Sequence, residues 1–114
     1  MLTLEGLKAL GADTDDGLKR CMGNEEFYLS MVRMVLNDPG YDALRDAIAR
    51  GDLEEGFERA HALKGVVTNV SLNSLTEPII EITEDLRDRK DRDYTDLLER
   101  IGKTLSEYRS LMED

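Results

Sequence analysis

The residues best placed by type and spacing to do chemistry are Ala60-His61-Ala62-Leu63-Lys64-Gly65. His61 is the protein's one histidine. A neutral imidazole is a nucleophile near pH 7, because its unperturbed pKa is about 6.5. It can accept a phosphoryl group and pass it on, since the nitrogen–phosphorus bond is labile. On a helix, Lys64 and Gly65 stand three and four residues after His61, one turn away and on the same strip of surface. Lys64 offers a cation to phosphoryl oxygens. Gly65 removes a side chain that would obstruct an approaching partner. It also interrupts a helix where no cap is needed, at about 1 kcal/mol relative to Ala. Local violations of this kind concentrate at functional sites. Each residue also has a plain alternative: a surface histidine without a role, a solvated helix lysine, and a glycine that lets two helices approach.

The element that must position them starts at Asp52, an N-cap with Glu55 three residues on, the capping-box spacing. Leu53, Phe57, Ala60, Leu63, Val67 and Val70 form its apolar stripe, so it should run to about residue 70. At ~100° per residue, His61 falls about 110° from the centre of that stripe, sharing a polar strip with Glu54, Glu58, Gly65 and Thr68. Six further helices are expected around it. Residues 3–10 carry Leu4, Leu7 and Leu10 on one side and stop at Gly11. Asp13 to Met22 stops at Gly23. Asn24 caps a longer helix with Phe27, Leu29, Met31, Val32, Met34, Val35 and Leu36 as apolar positions, ended by Asn37-Asp38-Pro39-Gly40. Tyr41 to Arg50 points Leu44, Ala47 and Ile48 inward and closes at Gly51. After a break and a new cap at Ser71-Leu72-Asn73, Leu72, Leu75, Ile79, Ile82 and Leu86 recur to about Lys90, with Pro78 expected to kink this helix or mark its true start. Asp93 caps the last, with Tyr94, Leu97, Leu98, Ile101, Leu105, Tyr108 and Met112 inward. Strand signals are absent. Short connections make neighbouring long helices antiparallel, which predicts an all-α antiparallel four-helix bundle with additional short N-terminal helices, one domain over residues 1–114.

Composition narrows the function classes. The chain has 114 residues, 40% of them hydrophobic, with four Tyr, two Phe and no Trp, so the core must be mostly aliphatic. Its 25 acidic and 15 basic residues give a net charge of -10. That argues against nucleic acid and anionic membranes as partners, since both need clustered Lys and Arg. One cysteine, Cys21, excludes an internal disulfide, and one histidine excludes a metal site built from several imidazoles. Cys21 reads as buried structure, and Met22, Met31 and Met34 as core or part of an exposed docking patch. Glu81, Glu84, Asp85 and Asp88 read as a solvated face without calcium-loop spacing. No apolar run approaches the ~18 residues of a membrane span, and the N-terminus is not a signal peptide, so a cytoplasmic protein is expected; a monomer is the default, because no face beyond the core stripe reads as strongly apolar.

The run His61-Ala62-Leu63-Lys64-Gly65 resembles the H-x-L-K-G signature of histidine-containing phosphotransfer (HPt) domains. The resemblance extends through Ala60, Val70 and Leu72 and over the helical plan, with the histidine on the second bundle helix. It implies a free-standing phosphocarrier that moves phosphoryl groups to and from receiver-domain aspartates in two-component signalling. It implies His61 as phosphoacceptor, Lys64 as neighbouring cation and Gly65 as the residue permitting access. Small residues, often Gly, stand at the positions of Thr68 and Ser71 in many members. A polar residue that hydrogen-bonds the imidazole falls near Thr83 by counting. Partners would be response-regulator receiver domains and a hybrid sensor histidine kinase. No cofactor belongs to the chain itself, Mg²⁺ being the receiver's. Lacking any G-x-x-x-x-G-K-[ST] phosphate loop, the chain should neither bind ATP nor phosphorylate itself. Arg59 and Lys64 would offset the acidity of a receiver's active site, with Leu7, Lys8 and Lys19 as rim contributors. The alternative is an unphosphorylated helical adaptor bundle in which His61 is incidental.

Overall fold

A computed structural model describes residues 1–113, whose regular secondary structure is helical, with no strand among them. Seven helices follow in order: α1 (Leu4–Ala9), α2 (Thr14–Arg20), α3 (Glu25–Leu36), α4 (Gly40–Ala49), α5 (Leu53–Asn69), α6 (Asn73–Arg87) and α7 (Thr95–Ser110). Helix α5 is the centre of the bundle, packed between α4 and α6; α7 packs on α6, and α3 reaches α7. The connections α4–α5 and α5–α6 are three residues each, too short for anything but a reversal of direction. The predicted all-α bundle is therefore the observed one.

Side-chain caps start most of the helices. Thr3, Asp13, Asn24 and Asp52 each accept the backbone N–H of the residue three positions on. At Asp52 only half of the expected capping box forms. Its carboxylate accepts Glu55 N–H at 3.0 Å, but the Glu55 side chain turns outward to Arg50 and Arg59. Asn73 is not a cap: α6 starts from Leu72 without a side-chain cap, and Asn73 is its first helical residue. Asp93 caps from one position earlier than usual, accepting Thr95 N–H at 2.9 Å while Tyr94 occupies the N-cap. Pro78 lies within α6, buried, and does not mark its start.

The core is aliphatic apart from four buried tyrosines. Leu63, Val67, Leu72, Leu75, Ile79, Ile82 and Leu86 are all sealed from solvent. In α3 the buried face differs from the predicted one. Tyr28 is 0% exposed, whereas Phe27 is 51% and Met34 67% exposed, and Met22 before the helix is 88% exposed. Tyr28 wins the interior because its hydroxyl donates to the Val70 carbonyl at 2.9 Å, tying α3 to the end of α5. Its ring occupies the space that a Cβ on Gly17 would need, so α2 can cross there only as glycine. Leu7 is also fully buried, which removes it as a rim residue; Lys8 and Lys19 are exposed. Cys21 is buried as expected.

The turn after α5 decides how α6 returns along it. Ser71 takes a left-handed backbone, φ 57°, which a side chain makes costly. The Ser71 hydroxyl offsets that cost by donating to Asp16 at 2.5 Å, and its carbonyl accepts Asp13 N–H at 2.9 Å. This holds the Asp16 carboxyl below its usual range, the hydrogen bond from Ser71 first and Arg20 second. The turn thus closes on a left-handed serine, clipped to α2.

Candidate functional site

His61 sits at the ninth of the 17 residues of α5, half-way along the flank of the bundle. Its neighbours Ala60 and Leu63 are buried, and His61 itself is exposed. The expected strip is real: Glu54, Glu58, Gly65 and Thr68 are exposed along it. The histidine is presented by a helix whose opposite face is locked into the core on both sides, so its backbone position is fixed.

Gly65 lies in open surroundings. A Cβ built there would meet nothing within 4 Å, and the residue is exposed. Close helix packing is therefore not its reason. Elsewhere a glycine is needed for packing: a Cβ on Gly56, in the same helix, would come within 3.0 Å of the Ile48 side chain. The effect of Gly65 is to leave a bare patch of backbone one turn beyond the imidazole. Lys64 is half-buried and makes no ion pair among the described residues, which leaves its ammonium available to an incoming anion.

The imidazole stacks on Phe57, one turn earlier, with ring centroids 5.6 Å apart and planes at 24°. The same ring carries two guanidinium groups from the far end of α6. The Cζ atoms of Arg87 and Arg89 lie 5.3 and 5.2 Å from its centroid. Reading the sequence missed all three residues. The position of Phe57 four residues before His61 was a usable signal. The arginines follow His61 by more than 25 residues and become neighbours only through the antiparallel return of α6.

Two sequence-based assignments change. Thr83 does not hold the imidazole. It is fully buried, and its hydroxyl donates to the Ile79 carbonyl one turn back at 2.6 Å, the usual resting bond of a helical threonine. Among the described residues, the His61 imidazole makes no side-chain hydrogen bond. Arg59 does not flank His61 either. It is two residues away, on the other side of the helix, paired with Glu55 at 3.1 Å. There it lines a groove against Asp38, Pro39, Gly40 and Ala43. The cations on the histidine side are Lys64, Arg87 and Arg89.

The acidic run at the end of α6 is divided. Glu81, Glu84 and Asp88 are solvated, as expected. Asp85 is half-buried and ties down the following loop through Arg92 at 2.7 Å and Lys90 at 3.3 Å. The hydrogen bond from Arg92 holds the Asp85 carboxyl below its usual range. No helix among the described residues is long and apolar enough to cross a membrane.

A family model, the Hpt domain, matches residues 40–111, the stretch from the first residue of α4 to the residue after α7. No curated protein and no solved structure matches the chain.

Proposed function

Because the chain belongs to the Hpt domain family, we propose that it is a phosphocarrier in which His61 takes a phosphoryl group from the aspartyl phosphate of one receiver domain and yields it to another. Hpt domains carry phosphoryl groups and are not kinases. The observation that supports the assignment to His61 is an exposed imidazole on a rigid helix beside a glycine that nothing in the fold requires.

The step is an in-line displacement. The lone pair of Nε2 attacks phosphorus, a nitrogen–phosphorus bond forms, and the acyl-phosphate P–O bond breaks. The aspartate carboxylate leaves with the electron pair, and the ring gives its Nδ1 proton to water. Mg²⁺ and most of the charge stabilisation come from the receiver. The chain contributes a fixed nucleophile, the Lys64 ammonium and an unobstructed approach over Gly65. Partners of this kind are receiver domains and a hybrid sensor kinase, the setting is cytoplasmic, and the contact is small and transient with the carrier as a monomer.

Carrying, as opposed to merely accepting, is tested by return transfer. Purified phosphoprotein with acid-labile, base-stable label is mixed with an unphosphorylated receiver and Mg²⁺. The label should leave the carrier and appear on the receiver within the lifetime of the phosphohistidine. Label that stays on the carrier until it hydrolyses, across a panel of receivers, would make the protein an acceptor or an adaptor and sink the carrier reading.

A further inference from the structure

The imidazole of His61 is held by its face and not by a hydrogen bond. The residue is exposed, and Thr83, the side chain expected to anchor the ring, turns back to the Ile79 carbonyl. The ring instead stacks on Phe57, with centroids 5.6 Å apart and planes at 24°. A helical side chain leans towards the N-terminus of its helix, so His61 reaches back over residue 57 and away from the bare turn at Gly65. Phe57 is in turn held by the fold. It is half-buried and packed against the core. The guanidinium groups of Arg87 and Arg89, from the end of α6, sit over its ring at 5.3 and 5.2 Å from the centroid. The imidazole thus leans on a ring anchored by two helices.

We infer that Phe57 is a positioning residue for phosphotransfer, fixing the orientation of the imidazole by stacking where a hydrogen bond is lacking. This rests on His61 being the phosphoacceptor. The lone pair of an imidazole nitrogen lies in the plane of the ring. Packing against a face therefore fixes the ring without occupying either nitrogen. One nitrogen stays free to attack phosphorus, and the other stays free to give its proton to water. An exposed histidine on a helix otherwise has about two χ1 wells and about two χ2 orientations open, so selecting one of them is worth about fourfold in rate. Phe57 does this from one turn away and touches no reacting atom.

The test uses a small phosphodonor, so that no receiver is needed. With phosphoramidate, Nε2 attacks phosphorus, the donor's nitrogen–phosphorus bond breaks, ammonia leaves and the ring proton passes to water. Wild type, Phe57→Leu and Phe57→Tyr are compared, with thermal unfolding measured alongside. His61 is the protein's one histidine, so its ring protons are assigned without ambiguity in ¹H NMR. Nuclear Overhauser effects from those protons to the aromatic ring at position 57 should appear in wild type and in Phe57→Tyr. Phospho-His61 should form about fourfold more slowly in Phe57→Leu and at the wild-type rate in Phe57→Tyr. Absence of the Overhauser effects in wild type, a measurement that needs no variant, would overturn the stacked orientation. Wild-type rates in a folded Phe57→Leu would overturn the positioning role, and so would a slow Phe57→Tyr that keeps the stack. Each of these results leaves His61 as phosphoacceptor. Absence of any label on His61 in wild type would overturn the phosphoacceptor reading, and this inference with it.

Discussion

A glycine at an exposed interior position of a 17-residue helix lowers helix stability by about 1 kcal/mol relative to alanine. At Gly65 nothing in the fold recovers that loss, because the space above it is open. Gly65→Ala should therefore stabilise the protein by roughly 0.5–1 kcal/mol in a denaturant titration and at the same time slow phosphotransfer. Gly102, in α7, is equally unobstructed and remote in sequence from His61. Gly102→Ala should give the same stabilisation with transfer unchanged. Equal transfer rates in Gly65→Ala and wild type would show that access over residue 65 is unimportant. At this scale the histidine motif was legible in the sequence, because three residue types within one turn define it. Its surroundings were less so. Arg59 is near His61 along the chain but some 200° round the helix, which a helical wheel could have shown. Thr83 was placed on the correct helix by counting, but counting does not reveal that its hydroxyl turns back to Ile79.

Helix α5 was readable end to end because its apolar residues fall on one stripe and Asp52 marks its start. Removal of that cap isolates one term: Asp52→Ala should cost about 1 kcal/mol in chemical unfolding, since Glu55 N–H loses its acceptor. A loss near zero would mean that water serves that N–H as well. Helix α3 was not readable in the same way. Phe27, Tyr28, Leu29, Met31, Val32, Met34, Val35 and Leu36 leave scarcely a polar position, so periodicity picks no single face. The face is chosen by tertiary partners, above all by the Val70 carbonyl that accepts the Tyr28 hydroxyl. The Arg87–Arg89 pair was invisible for a related reason. The end of α6 meets the middle of α5 only once the register of the return is fixed, and the chain segment itself holds no sign of that register.

Across the whole molecule, the four tyrosines share one property. Each has its phenol pushed up from the ordinary value, with burial as the largest cause, Tyr28 to about 12 and Tyr41 further still. Tyr28, Tyr41 and Tyr94 close on backbone carbonyls of Val70, Val35 and Lys90, and Tyr108 meets the Ser74 hydroxyl. A folded pKa above the unfolded value of about 10 favours the neutral phenol in the fold. The stability this contributes is fully present below about pH 10 and is lost as pH rises towards and through the folded values. The denaturant midpoint should thus hold steady to near pH 10 and fall above it, with tyrosinate absorbance rising together with unfolding. Tyrosinate absorbance that rises near pH 10 in a fully helical protein would contradict the burial described. The bundle these tyrosines close is a rigid mount, and the claim about it is that it presents one nucleophile. The direct measurement is acceptance of label from a phosphorylated receiver, with Mg²⁺, by wild type and by His61→Gln, with circular dichroism confirming that both are folded. The account predicts acid-labile, base-stable label on wild type and none on His61→Gln. Equal labelling of both would place the acceptor elsewhere, and label on neither across a panel of receivers would contradict phosphotransfer itself.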